Sequence, residues 1–360
     1  MKNLSVFILL LFIFINPSFS QTPSFKGAEG YGATAVGGRG GKIFHVTNLN
    51  DEGTGSFREA VSVPNRIVVF DVNGIIHLKS GVNVSSNITI NGQTAPGNGI
   101  TLSGQSVRFS KAHDIVVRYL RLHGDINMSK GSCVLIADSA DNIIFDHLSI
   151  AFGRWDNVHI KSSQNITLQY CIIGEAIDPQ RFGALLENPR DLSIHHCLWI
   201  DNQSRNPKAK AKIQLIDNII YNWGNSGLVG GHSSANHYQD LINNYFIAGP
   251  SSSNQFLAMF TKTDNVYHKG NYFDGNKDGK LNGRLINDDD FLHAGKGANI
   301  IKKPSNAPAI NVSIEPAEKA YWDVLKNVGC SKVRDIIDQE LINQLSSLGT
   351  IGAIIHSNIR

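Results

Sequence analysis

Apolar and polar positions alternate with period two in short segments that recur at intervals of roughly 21 to 28 residues. The clearest read DIVVRYLRL from Asp114, NIIFDHLSI from Asn142, NITLQYCII from Asn165 and DLSIHHCLW from Asp191. Fainter copies follow: IQLIDNIIY from Ile213, then stretches ending in LINNYF near Asn244 and YHKGNYF near Asn271. Ile166, Leu168 and Tyr170 show the alternation, so each segment is predicted to be a strand with one buried face. Aligning the segments stacks one column: Leu120, Leu148, Cys171, Cys197, Asn218, Asn244, Asn271. Like sits on like along it. A parallel solenoid places equivalent side chains one strand spacing apart, and a run of asparagines there lets each amide bond the next. The pattern predicts an all-β chain, a right-handed parallel β-helix.

The pattern changes toward both ends. Residues 21 to about 62 are glycine-rich but lack GxGxxG and the lysine-serine ending of a phosphate loop, so they read as the start of the solenoid. SFREAV, from Ser56 to Val61, predicts a short capping helix. After Pro316 the period becomes helical, with Ala317, Ala320, Tyr321 and Val324 on one face and Gly329 as a stop. A second helix is expected from Ser331 to about Leu348. The expected organisation is a signal peptide over 1–20, a β-helix over 21–312 and a short helical C-terminal tail over 313–360 that caps the solenoid. Lys2, the apolar run from Val6 to Ile15, and Ser18 and Ser20 before Gln21 are the marks of a cleaved export signal, which predicts a secreted protein with no membrane attachment after cleavage.

Composition narrows the chemistry only a little. At 360 residues and 41% hydrophobic content, a large core is available. A net charge of +3 is too weak to argue for nucleic acid, so local clusters carry the reading. Cys133, Cys171, Cys197 and Cys330 show no metal-ligand spacing and read as buried free thiols, although Cys171 and Cys197 are close enough to bridge. His147, after Asp146, shares its column with Tyr119, Tyr170 and His196 and reads as a packed rung residue rather than a base.

The sharpest local signal is SRNPKAKAKIQL, Ser204 to Leu215. Pro207 places the strand start just after it. Alternation then turns Ile213 and Leu215 inward and Lys208, Lys210 and Lys212 outward, with Arg205 at the entry. Such a stripe suits binding of a polyanion lying across the rungs.

This segment, the opening AEGYGATAVGGRGGKIFHVTNLNDEGTGSFREAV, the DH of NIIFDHLSI, NYFIAGPSS and the tail AYWDVLKNVGCSKVRDIIDQ together resemble pectate lyases of polysaccharide lyase family one. The resemblance covers nearly all of the chain after the export signal. It implies the parallel β-helix fold, β-elimination of polygalacturonate from the plant cell wall, calcium as cofactor and a monomer. It implies Arg205 as catalytic base, with Lys210 and Arg181 as substrate-binding cations. The implied calcium acids match poorly. The stretch SKGSCVLI has no carboxylate, and GRWDNVHI keeps only Asp156.

A second calcium candidate is DGNKDGKLNGRL, which matches the first half of an EF-hand loop through Asp274, Asn276, Asp278, Gly279 and the carbonyl of Lys280. Its twelfth position is Leu285, and a polar turn explains the same residues. Two rivals to a lyase remain: a noncatalytic carbohydrate-binding β-helix or adhesin, and a polygalacturonan hydrolase, which needs clustered carboxylates.

Overall fold

The computed structural model describes residues 22–359. Among them the chain winds through three sheets, each turn contributing one strand to each; the pairing is parallel except for the last strand of sheet C, Arg284–Leu285, which pairs antiparallel. Sheet A has eight strands, sheet B eleven and sheet C ten. One turn runs Asp156–Lys161 in sheet A, Gln164–Gln169 in sheet B and Ile172–Gly174 in sheet C. About nine such turns form a parallel β-helix. Its interior is filled by Val158, Ile160, Ile166, Leu168, Ile173 and their equivalents on neighbouring turns.

The nine-residue segments are each two strands rather than one, as in His113–Arg118 followed by Arg121–His123. Between them the chain turns through a left-handed residue: Tyr119, His147, Tyr170, His196, Asp217 and Asn243 have φ between 51° and 56°. Tyr170 therefore points out at the corner instead of inward. Outside that corner Tyr119, His147, Tyr170 and His196 stack with centroids 4.6, 4.9 and 4.9 Å apart. The next position turns inward and forms the expected column. The Asn218 amide nitrogen donates to Asn244 Oδ1 at 2.9 Å, and the Asn244 nitrogen donates to Asn271 Oδ1 at 2.9 Å. Cys171 and Cys197 are buried free thiols in the same column.

The outer faces of sheets B and C are largely covered. Residues around Ala28, Ala33 and Ala35 lie on Val116 and Ile144 of sheet B. At Gly32 a Cβ would meet the Ile143 carbonyl oxygen at 2.1 Å, so this covering segment approaches only as glycine. Helix α1 (Phe57–Val61) has Ser56 as N-cap, accepting from the Glu59 N–H. Helix α2 is Asp288–Leu292. Helices α3 (Ala317–Asn327) and α4 (Ile336–Ser346) bury Ala317, Tyr321, Val324, Leu341 and Leu345 against Ile172, Leu198, Ile219 and Tyr245 of sheet C. The tail thus covers a side of the solenoid rather than an end. The export signal lies outside the described residues, and no helix among them is long and apolar enough to cross a membrane.

The seam between α3 and the corner carries a pH liability. Asp217 is fully buried, and its Oδ2 accepts the Glu315 N–H at 2.8 Å. Burial, with Glu315 and Asp323 adding repulsion, pushes its carboxyl up to about 8. The folded state then holds a proton that the unfolded chain releases near pH 4, so stability falls as pH rises from about 4 to about 8. Asp217→Asn keeps an acceptor and removes the titration. Its thermal midpoint should change less than the native one between pH 5 and pH 8.5. Equal pH dependence in the two proteins, followed by circular dichroism, would refute this assignment.

Candidate active site

Sheet A keeps an open outer face along its length, whereas sheets B and C are exposed mainly at their end strands. One column of outward positions runs Arg108, Leu135, His159, Leu185, Lys208, Val229 and Ala258 on successive turns. A groove follows this column, and Arg205 lines both of its halves. The half toward the N-terminus encloses about 600 Å³, bounded by Arg108, Lys130, Trp155, Asp156 and His159. The half toward the C-terminus encloses about 710 Å³, bounded by Phe182, Lys208, Ser226, Gln255 and Met259.

Arg205 enters sheet A as a left-handed residue, φ 59°, followed by a cis Asn206-Pro207 bond. The strand Lys208–Lys210 begins right after the proline, as its missing N–H requires. Below it, Asn202 donates to Asn206 Oδ1 at 2.9 Å, and Asn157 donates to Asn202 Oδ1 at 3.2 Å. This buried amide network pins the loop. The guanidinium sits 4.1 Å over the Phe182 ring and donates to Asp156 Oδ1 and Oδ2 at 3.0 and 3.3 Å. Its side chain is 20% exposed, enough for one edge to face the groove.

Burial pushes the Asp156 carboxyl up to about 6, against the pull of Arg205 and Lys208. Burial also lowers the Lys208 amine, and the charges of Arg205 and Lys210 lower it further. The site is therefore crowded with positive charge and partly dry.

The other expected residues divide. Lys208 and Lys210 share the outer face of sheet A beside Arg205. Lys212 does not join them. The chain bends at Ala211, so Lys212 opens the sheet-B strand Lys212–Ile216 and pairs with Asp191 at 3.1 Å. Strand alternation had placed all three lysines together because it assumed a straight strand. Arg181 stands one turn from Arg205, but its guanidinium engages Asp178 at 3.2 Å and His356, and it lines neither half of the groove. Sequence reasoning passed over Arg108, Lys130, Trp155 and His159. Only the stacking of turns brings Arg108 into one column with Lys208.

The groove does not fit a protein-held calcium. That ion takes six to eight oxygens. Asp156 is the one carboxylate lining either half, and it is buried and paired with Arg205. Around it stand Arg108, Lys130 and Lys208. Among the described residues, three His or carboxylate groups close enough to share an ion occur only at His196, Glu315 and Asp323, at the sheet B–sheet C corner opposite sheet A.

The Asp274 loop follows the sheet-C strand Tyr272–Asp274, also away from the groove. Asn276 Oδ1 accepts the Asp278 N–H at 3.1 Å, Asp278 Oδ1 accepts the Lys280 N–H at 3.0 Å, and Asp274 Oδ2 accepts the Asn282 N–H at 3.0 Å. The oxygens a metal would need are bonded to the loop's own donors, which supports the polar-turn reading.

Fold and site together define a class: a parallel β-helix protein with a long, cationic, arginine-centred cleft on its open sheet. No family model matches the chain. A probable pectate lyase C of Neosartorya fischeri is 40% identical over 358 residues, covering 98% of this chain and 84% of that protein. Among solved structures, a thermostable pectate lyase superposes with a TM-score of 0.63 at 13% identity, covering 88% of this chain and 100% of that one. A pectate lyase from Bacillus sp. N165 in complex with trigalacturonate superposes with a TM-score of 0.56 at 16% identity, covering 86% and 100%. The chain belongs to the pectate lyase family.

Proposed function

We propose that the protein is a secreted, monomeric pectate lyase that binds polygalacturonate-type chains along the groove and cleaves them by β-elimination at Arg205. The observation that carries this reading is the Arg205 guanidinium, clamped by Asp156 where the two halves of the groove meet. Elimination removes the C5 proton of a uronate and expels the C4 oxygen. The C5 proton is weakly acidic because the adjacent carboxylate is already anionic, so the site must neutralise that charge as the enolate-like dianion develops. Lys208 and Lys210 stand on the same face to do so. Arg181 enters that role only by exchanging Asp178 for substrate.

An arginine is normally protonated, so Arg205 either takes the C5 proton in this crowded cationic site or holds a hydroxide that takes it. Calcium dependence is general in the family. With one paired carboxylate in the groove, no step here is routed through the ion. The N-terminal apolar run supports export.

The test is incubation with polygalacturonate, with and without chelator, followed in the near ultraviolet. A lyase product carries a conjugated double bond and absorbs; a hydrolase product does not; an adhesin releases nothing. Cleavage without absorbance, or no cleavage, would sink the reading. Activity should also fall on the acid side of about pH 6, where Asp156 gains a proton and loosens its hold on Arg205.

A further inference from the structure

We propose that the N-terminal half of the groove binds uronate carboxylates directly, on Arg108 and Lys130, where a metal bridge would otherwise be required. The inference rests on the function proposed above and specifies how this half of the groove reads its substrate. Arg108 is exposed in that half and has no ion-pair or hydrogen-bond partner for its guanidinium among the described residues. Lys130 is also without an ion-pair partner there, and its ammonium lies 3.8 Å from the centre of the Trp155 ring. The half's one carboxylate, Asp156, is already committed to Arg205.

Three cations and a neutralised acid repel a divalent ion and attract an anion. A guanidinium presents a planar fork that matches a carboxylate with two parallel hydrogen bonds. Position supports the same conclusion. Arg108 and Lys208 occupy one register column four turns apart, about 19 Å along the axis at the strand spacing of parallel sheets. Arg205 shares the turn of Lys208, and its guanidinium reaches back to Asp156, two turns toward Arg108. An extended chain with a carboxylate on each sugar therefore meets cations at the N-terminal end of the groove and again at its middle, where Arg205 and Lys208 stand together. Leu135 and the 37%-exposed Trp155 give that half an apolar floor for the sugar rings between the charges.

The experiment measures binding of trigalacturonate by calorimetry to the Arg205→Lys protein, which keeps the complex from turning over. It is done in excess chelator and again in millimolar calcium. Equal affinity in the two conditions is expected. Adding Arg108→Gln and Lys130→Gln should weaken binding about tenfold or more in both. The methyl-esterified trimer, which lacks the charges, should bind weakly and ignore those two substitutions. Both side chains are exposed, and circular dichroism confirms the fold.

Binding that requires calcium, or that is unchanged by the double substitution, overturns the inference. The native enzyme separates this failure from that of the function. If it still yields the ultraviolet-absorbing product, only the metal-free reading is lost. If no uronate polymer is cleaved, the lyase reading fails with it.

Discussion

Arg205→Lys should lower the elimination rate by two to three orders of magnitude while leaving polymer affinity nearly native, on the scale seen when one charge-stabilising donor is lost from a site. Lysine keeps the positive charge, so the long-range attraction of the groove survives. It loses the planar guanidinium, which reaches Asp156 through one nitrogen while its carbon sits 4.1 Å from the Phe182 ring centre and its other N–H groups stay available to the groove. A flexible ammonium in its place neither holds a hydroxide at a defined point nor offers a nitrogen at the same distance from C5. Asp156 retains a cationic neighbour, so the fold should be intact. Turnover by near-ultraviolet absorbance, beside binding measured separately, checks the split. A lysine variant with most of the native rate would remove Arg205 as the reacting group.

Asn244→Ala should cost about 4 kcal/mol of stability, the largest structural effect expected of a single substitution outside the site. Asn244 is 2% exposed. Its Oδ1 accepts both the backbone N–H and the side-chain amide of Asn218, at 3.0 and 2.9 Å, and its own amide donates to the Leu215 carbonyl at 2.8 Å. Alanine leaves the Asn218 N–H and the Leu215 carbonyl buried without partners and opens a void at the corner. The urea midpoint should drop sharply, whereas an exposed change such as Lys161→Gln should move stability by less than about 0.5 kcal/mol. Similar midpoints for the two variants would show that the ladder is dispensable.

The same ladder shows how the chain can be read from its sequence. A solenoid repeats its environment every turn, so each position is written several times over, and the column from Leu120 to Asn271 aligns without coordinates. The apolar face of α3 was equally legible, because one helix sets the spacing of Ala317, Ala320, Tyr321 and Val324 by itself. Arg205 and its proline were legible as a local motif, and the lysines beside it as a stripe.

What failed depended on bends and on distance. Lys212 left the stripe because the chain turns at Ala211, and a corner is invisible to a two-residue period. The tail was expected to dock on the solenoid, and the face it covers, sheet C, is set by which sheet is apolar outside. Asp156 was expected as a calcium ligand; only the packing of turns sets it against Arg205, so that it pairs with a guanidinium.

The sequence by itself therefore determined the parallel β-helix, the helical tail and the arginine at the centre of the cleft. The tertiary structure alone decided the groove: which sheet stays open, which lysines reach it, and that Arg108, His159 and Lys208 share one column. The physical reason is that strand alternation and helical period act over a few residues, whereas the groove is built by register between turns, which brings together side chains about a hundred positions apart.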